Sequence, residues 1–265
     1  MTTVAVQSDK AARLRELHAG PAAFVIANAF DAGSAVMLAG LGFAALATSS
    51  GAAAGTLGRK DGQLSRDEAI AHVRAIAQAT ALPVSADLEN GFGEAPEHVA
   101  ETIRLAAEAG AVGGSIEDYT GDAARPFYTL ERSVERIAAA AEAARRLPFA
   151  GFMLTARSEN FLRGRADLDD TIARLRAYEA AGADVLFAPG LPDLDAVRAV
   201  CAALAKPFNF MVGMKGRSFD LAALQTAGVR RVSLATSLYR AAMAAVRAAA
   251  EEVRTSGTFG YVERL

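Results

Sequence analysis

Apolar residues fall in about eight short runs along the chain, separated by longer stretches whose apolar positions recur at helical spacing. Four runs are plain: AFVIANAF (23–30), LPVSADLE (82–89), FAGFMLTAR (149–157) and KPFNFMVG (206–213). Four more share one step, in which a helical stretch ends in Ala-Gly and an apolar run begins at once. These are LAGLGFAALATSS, EAGAVGGSIEDY, AAGADVLFAPG and TAGVRRVSLATS, with glycines at Gly40, Gly110, Gly182 and Gly228. A glycine there is expected to take the left-handed conformation that closes a helix and turns the chain into a strand. Between the runs, SRDEAIAHVRAIAQAT and DLDDTIARLRAYEAAG read as helices, the first opened by a capping box of Ser65 and Glu68.

Near-continuous apolar strands suit a parallel sheet covered by helices. About eight strand–helix units in about 250 residues match a (β/α)8 barrel. The alternative is an open doubly wound sheet, but no G-x-G-x-x-G follows the first strand. No Pro-, Gly- or Ser-rich linker divides the chain, so residues 1–265 are expected to form a single-domain α/β TIM barrel. The last helix, TSLYRAAMAAVRAAAEEVRTSG, has an alanine-rich apolar side suited to close packing on the barrel or on another subunit.

Composition narrows the function classes. Hydrophobic residues make up 52% and charged residues 22%, which suits a globular chain with a sizeable core. A net charge of -2 gives no basic field for nucleic acid or an anionic membrane. No stretch approaches the roughly 18 uninterrupted apolar residues of a membrane helix. The first residues, MTTVAVQSDKAARLRELHAG, lack the apolar core of a signal peptide. The lone Cys201 excludes an internal disulfide framework and a multi-cysteine zinc site, and it fits a reducing, cytoplasmic setting. Cys201 reads as a small buried hydrophobe. His18, His72 and His98 lie in helical stretches and read as packing or surface residues.

In a barrel, chemistry gathers at the carboxyl ends of the strands. The first strand ends near Asn28 and Asp31, and Asp31 alone reads as a helix cap. The second ends in TSSGAAAGTLGRKDG, where Ser49, Ser50 and Gly51 offer hydroxyls and free backbone N–H groups and Asp61 follows. The third ends in Asp87 and Glu89, the fourth in Glu117 and Asp118, the fifth in Arg157 and Glu159, and the seventh carries Asn209. Singly, each acid reads as a cap or a solvated group. Together, three carboxylates on neighbouring strands need a counter-charge. Mg2+ supplies one, because it takes oxygen ligands and keeps several waters. Arg157 then suits a substrate carboxylate or phosphonate bound bidentately, or an ion pair with one of the acids.

SADLENGFG followed by SIEDY, with TSSGAAAGTLGRKDG before and TARSENF after, resembles the isocitrate lyase/phosphoenolpyruvate mutase superfamily. The resemblance runs from NAFDAGSA to RRVSLATSLYRAA. It implies a (β/α)8 barrel, Mg2+ (or Mn2+), and enolate chemistry on a small 2-oxo or 2-hydroxy carboxylate. It also implies a homo-oligomer, a dimer or tetramer, formed by swapping the last helix. Asp87, Glu89 and Glu117 take the metal positions, directly or through water, and Asp61 lies near the metal. Ser50, Gly51 and Ala52 cradle the substrate carboxylate, Arg157 anchors it, and Asn209 matches the family's asparagine on strand seven. The lyases carry a Lys-Lys/Arg-Cys-Gly-His loop after the acid pair, and the phosphonate-handling members a Lys with a nearby Asn-Ser. The loop here, EDYTGDAARPFYTLERS, has neither. The expected reaction is therefore C–C cleavage or decarboxylation of an oxaloacetate-like acid, with Asp61, Tyr119, Tyr128 or water as proton source. The alternatives are P–C bond chemistry of the phosphoenolpyruvate mutase or phosphonopyruvate hydrolase type, and a 2-oxo acid binder without turnover.

Overall fold

The computed structural model describes residues 3–264. Its eight strands are β1 (Phe24–Asn28), β2 (Leu46–Ala47), β3 (Val84–Asp87), β4 (Gly113–Glu117), β5 (Met153–Arg157), β6 (Val185–Phe187), β7 (Phe208–Met211) and β8 (Arg231–Ser233). All neighbours pair in parallel, and β1 also pairs with β8, which closes the barrel and excludes the open sheet. Each expected apolar run holds one strand. Helix α1 (Val4–Ala19) precedes the barrel, and α2 (Ala32–Gly40) follows β1. After β2 come two helices, α3 (Ser50–Thr56) and α4 (Arg66–Ala79). The later crossovers are α5 (Pro96–Glu108), α6 (Leu130–Arg145), α7 (Leu168–Ala180), α8 (Leu194–Ala203) and α9 (Leu221–Thr226). Helix α10 (Ser237–Ser256) and a 3-10 turn, Gly260–Arg264, end the described chain.

Local chemistry explains the boundaries. Ser65 and Glu68 form the expected capping box on α4, and Asp31 forms another with Ser34 on α2. Gly110, Gly182 and Gly228 have φ of 107°, 108° and 97°. Gly40 departs from that pattern. Helix α2 runs through it, and the left-handed position falls on Gly42 at φ 87°. The extra residues of GLGF allow the helix one more step before the turn.

A main core joins the barrel to most of its helices, a second cluster packs Leu46 and Val84 with Leu38 of α2 and Ile76 of α4, and a small third one holds α3 against Ala69 of α4. Leu14 of α1 reaches the lower mouth of the barrel, where a Cβ on Gly113 would lie 3.2 Å from its Cδ2. Helix α10 has no buried residue, and Met243, Val246 and Val253 stand exposed on it. No described helix is long and apolar enough to cross a membrane. His72 packs with Nε2 2.9 Å from the Phe30 carbonyl. Cys201 is half-buried rather than fully buried, packed against Gly228, and burial pushes its thiol up to about 12.

His18 sits beneath the barrel with Nδ1 2.7 Å from the Leu14 carbonyl and its ring edge-on to Phe24. Its Nε2 is buried without a partner. Burial first, and the charge of Arg231 second, push the imidazole down to about 3. The unfolded chain therefore binds a proton, near pH 6.5, that the folded chain refuses. This contribution to stability is complete above about pH 6.5 and is lost as pH falls towards 3. Denaturant midpoints are expected to fall from pH 7 to pH 5, and His18→Phe is expected to flatten that slope. An equal slope in the variant would show that His18 is not the group responsible.

Candidate active site

The side chains alternate along each strand, so Asp87, Glu117 and Arg157 project at the carboxyl ends of β3, β4 and β5. Register sets them side by side: Asp87 pairs with Ser115, and Glu117 with Arg157. They open on one cavity of about 530 Å³. Ser50, Gly51, Asp61, Glu89, Tyr119 and Asn209 also line it. Of the residues singled out from sequence for binding or chemistry, Ala52 and Tyr128 do not. Ala52 is buried behind the cavity, and its N–H donates to Ser49 Oγ at 3.3 Å as part of the α3 cap.

Of the N–H groups expected to be free at Ser49, Ser50 and Gly51, that of Ser50 is taken. Ser50 donates both its N–H and its hydroxyl to Asp87 Oδ2, each at 2.9 Å, and its hydroxyl lies 3.3 Å from Asp61 Oδ1. Ser115 Oγ lies 3.5 Å from Asp87 Oδ1. The Asp87 N–H donates to Thr48 Oγ1 at 2.8 Å. Gly51 is needed for packing: a Cβ would lie 2.9 Å from Thr236 Cγ2 and 3.1 Å from Asp61 Cγ. Asn209 spends its amide inside the barrel, accepting from Arg231 Nε at 2.7 Å and donating to Ser233 Oγ at 3.0 Å.

The carboxyl groups repel one another. Burial, then Asp87 and Asp61, push Glu89 up to about 8 against the pull of Arg157 and Arg163. Burial, then Glu159, raises Glu117 well above the usual carboxylate range. Burial opposes the charge of Arg157, but Glu159, Glu117 and Asp87 outweigh it and hold the guanidinium well above its ordinary value. Arg157 bonds Glu159, lies 3.5 Å from Glu117 Oε2, and stacks 5.0 Å from the Phe187 ring centroid. The ion-pair and substrate-anchor readings of Arg157 are thus compatible: it is paired and it faces the cavity.

The turn after β3 is strained. Glu89 and Phe92 have φ of 47° and 57°, a region costly for side chains other than glycine. Gly91, at φ 82°, relieves part of this. The glycines make room for α5. A Cβ on Gly91 would lie 3.0 Å from Val99 Cγ2, and one on Gly93 only 2.2 Å from His98 Nδ1. Arg136 of α6 holds the turn in place. It is 1% exposed and donates to the carbonyls of Asn90, Gly93 and Glu94.

Asp118, next to Glu117, faces away from the cavity. It accepts from the Glu159 N–H at 2.8 Å, Tyr178 Oη at 2.6 Å and Arg174 Nη1 at 3.1 Å. Tyr128 is buried beneath Arg136 at 4.2 Å and does not line the cavity. Tyr119 does, with Arg163 stacked 3.8 Å from its ring centroid. The loop after Asp118 is a small hairpin: Tyr119 bridges Phe127, and Thr120 N–H donates to the Pro126 carbonyl at 3.0 Å. Arg163 and Arg136 shape the site although the sequence pattern singled out neither, and Glu159, seen there as a strand-end acid, is an ion-pair partner of Arg157. Arg163 bonds Glu159 at 2.9 Å and lies 3.9 Å from Glu117.

The acids suit a divalent cation. Glu89 Oε1 is buried without a hydrogen-bond partner, and a cation beside it would supply one. No three Asp, Glu, His or Cys among the described residues converge into a ready-made protein cage.

Known proteins resemble this chain in sequence and fold. The family described as phosphoenolpyruvate phosphomutase matches residues 14–254. The chain is 30% identical to 2-methylisocitrate lyase of Escherichia coli K12 over 243 residues, covering 88% of this chain and 80% of that one. It is 33% identical to oxaloacetate decarboxylase of Bradyrhizobium diazoefficiens over 210 residues, covering 74% of this chain and 68% of that one. A crystal structure from Burkholderia cenocepacia J2315, provisionally assigned as a lyase/mutase, superposes with a TM-score of 0.96 at 54% identity, covering 98% and 93%. Barrel, strand-end acids and matched span converge: the chain is an enzyme of the phosphoenolpyruvate phosphomutase family, within the isocitrate lyase/phosphoenolpyruvate mutase superfamily.

Proposed function

We propose that the chain is a Mg2+-dependent lyase or decarboxylase acting on a small 2-oxo or 2-hydroxy carboxylate, oxaloacetate-like, through an enolate. The observation that carries this reading is one cavity faced by Asp87, Glu89, Glu117 and Arg157, with an unpartnered carboxyl oxygen on Glu89. Asp87, Glu89 and Glu117 would hold Mg2+, or Mn2+, directly or through water. The bound ion would act as a Lewis acid, favouring negative charge on the substrate's keto oxygen.

The chain's own groups do the rest. Arg157 takes the substrate carboxylate in a bidentate contact, held in orientation by Glu117 and Glu159. Ser50 and Gly51 border the same end of the cavity. Arg163 holds Tyr119 by stacking, which keeps the phenol at the cavity wall. The carbanion left when a C–C or C–CO2 bond breaks takes its proton from Tyr119, Asp61 or water, because the loop offers no Lys, His or Cys. Helix α10, which has no buried residue and exposes Met243, Val246 and Val253, would pack in a homo-oligomer.

Assays of oxaloacetate, phosphonopyruvate and phosphoenolpyruvate side by side, with Mg2+ and with EDTA, test the reading. Mg2+-dependent release of CO2 or of a C–C cleavage product from oxaloacetate supports it. Turnover of only the phosphonate pair would transfer the site to P–C chemistry. Tight oxalate binding with no product from any acid would make the chain a binder.

A further inference from the structure

The cavity continues below the acid platform into the barrel, to Arg231 at the start of β8. Arg231 is 5% exposed. Its Nε donates to Asn209 Oδ1 at 2.7 Å and its Nη2 to Thr155 Oγ1 at 3.0 Å, while Nη1 is buried without a partner. No carboxylate among the described residues pairs with it, and burial alone pushes it down to about 9. Every other deeply buried arginine near the site is compensated. Arg157 has Glu159 and Glu117, Arg174 has Asp118 and Asp170, and Arg136 has three carbonyls.

A buried charge with neutral partners only is costly, because it has lost water and gained no counter-charge. Barrel interiors are usually filled by Val, Ile and Leu. Here Ala47, Ser85, Ser115, Ser233 and Asn209 line the middle of the cavity, so the interior stays open down to the guanidinium. The amide of Asn209 and the hydroxyl of Thr155 fix two nitrogens and leave the third for a ligand.

We propose that Arg231 Nη1 and the small hydroxyl residues above it form a second anion site, which receives the distal carboxylate of a short dicarboxylic 2-oxo acid whose 2-oxo acid end lies at the acid platform. This deepens the proposed function and rests on it for the position of the first end. The layers fit a short spacer. Thr155 lies two residues below Arg157 on β5, about 6–7 Å along the strand at the usual rise. A monocarboxylate would leave Arg231 uncompensated, so the site selects a four- or five-carbon dicarboxylate over its methyl-ended isostere.

Calorimetry on the Mg2+-loaded full chain tests this with three probes: oxalate, 2-oxoglutarate and 2-oxovalerate, which has a methyl group where 2-oxoglutarate has its distal carboxylate. In the wild type, 2-oxoglutarate is expected to bind about 100-fold tighter than 2-oxovalerate, the scale of a desolvated charge pair. Oxaloacetate against 2-oxobutyrate repeats the comparison with four carbons, read from KM and Ki in steady-state kinetics because the proposed reaction consumes oxaloacetate. Arg231→Met is expected to reduce the preference to about threefold or less with oxalate affinity unchanged, and Arg231→Lys to restore part of it. A wild-type preference below threefold in both pairs overturns the proposal without any variant. A preference that survives in Arg231→Met overturns it as well. If oxalate itself fails to bind with Mg2+, the reading of the acid platform fails; if oxalate binds and no dicarboxylate is preferred, only the Arg231 site fails.

Discussion

Asp87→Ala is expected to lower turnover by about 100- to 1000-fold, the scale of losing one preorganised electrostatic partner of a developing anion. Mg2+ affinity is expected to fall further than the roughly 10- to 100-fold seen when outer-shell partners are removed. The same change is expected to leave folding stability within about 1 kcal/mol of the wild type. Asp87 raises both Glu89 and Glu117, so its removal relieves repulsion among buried acids. Against that stand the two Ser50 hydrogen bonds to Oδ2, worth about 1 kcal/mol net each. Asp87→Asn separates the effects, since its amide oxygen can still accept from Ser50 while the charge is gone. Steady-state kinetics and thermal melts of both variants check this. Full turnover with unchanged metal affinity in Asp87→Ala would remove Asp87 from the metal site.

Asp118→Ala is expected to do the reverse, with the larger cost in stability. Three buried donors converge on Asp118: the Glu159 N–H, the Tyr178 hydroxyl and the Arg174 guanidinium. Burial pushes the Asp118 carboxyl up, while Tyr178, the Glu159 N–H and Arg174 pull it down. Removing it leaves the Tyr178 O–H without its acceptor, the hydroxyl oxygen keeping only the 3.4 Å contact from Arg174 Nη1, and leaves Arg174 with only Asp170 as acidic partner. Breaking a buried pair in this way costs about 3–5 kcal/mol. In a chain of this size each kcal/mol lowers Tm by about 2–4 °C. Denaturant unfolding of Asp118→Ala and Asp118→Asn measures the loss, with the amide expected to retain part of it. A loss under about 1 kcal/mol would mean that the network carries little of the fold.

These two variants show what the sequence could and could not carry. The eight strands were legible because a strand buried on both faces must be apolar almost throughout. The strand-end acids were legible because the barrel has one chemical end. Glu117 and Asp118 look alike in the sequence. Only the alternation of side chains in β4 sends one to the cavity and the other to the helices. Arg136 and Arg163 had no local signal, since they act on a turn and a hairpin far from them in sequence. The loop after β2 gives no sign in sequence that Asp87 takes the Ser50 N–H or that the Ser49 cap of α3 takes the Ala52 N–H, because both partners are set by the fold. Arg231 offered a clue that went unread: a cation inside an apolar run that must be buried on both faces.

The central claim is that the acids at the ends of β3 and β4, with Arg157 of β5, form a divalent-metal site for a 2-oxo acid or its enolate. Oxalate mimics that enolate, so its binding to the wild type, measured by calorimetry with Mg2+ and again in EDTA, tests the claim most directly. One oxalate per chain is expected to bind with Mg2+, at least about 100-fold more weakly in EDTA, and with the same loss in Glu117→Gln even when Mg2+ is present. Equal affinity in Mg2+ and EDTA, or an unaltered Glu117→Gln, would contradict the account.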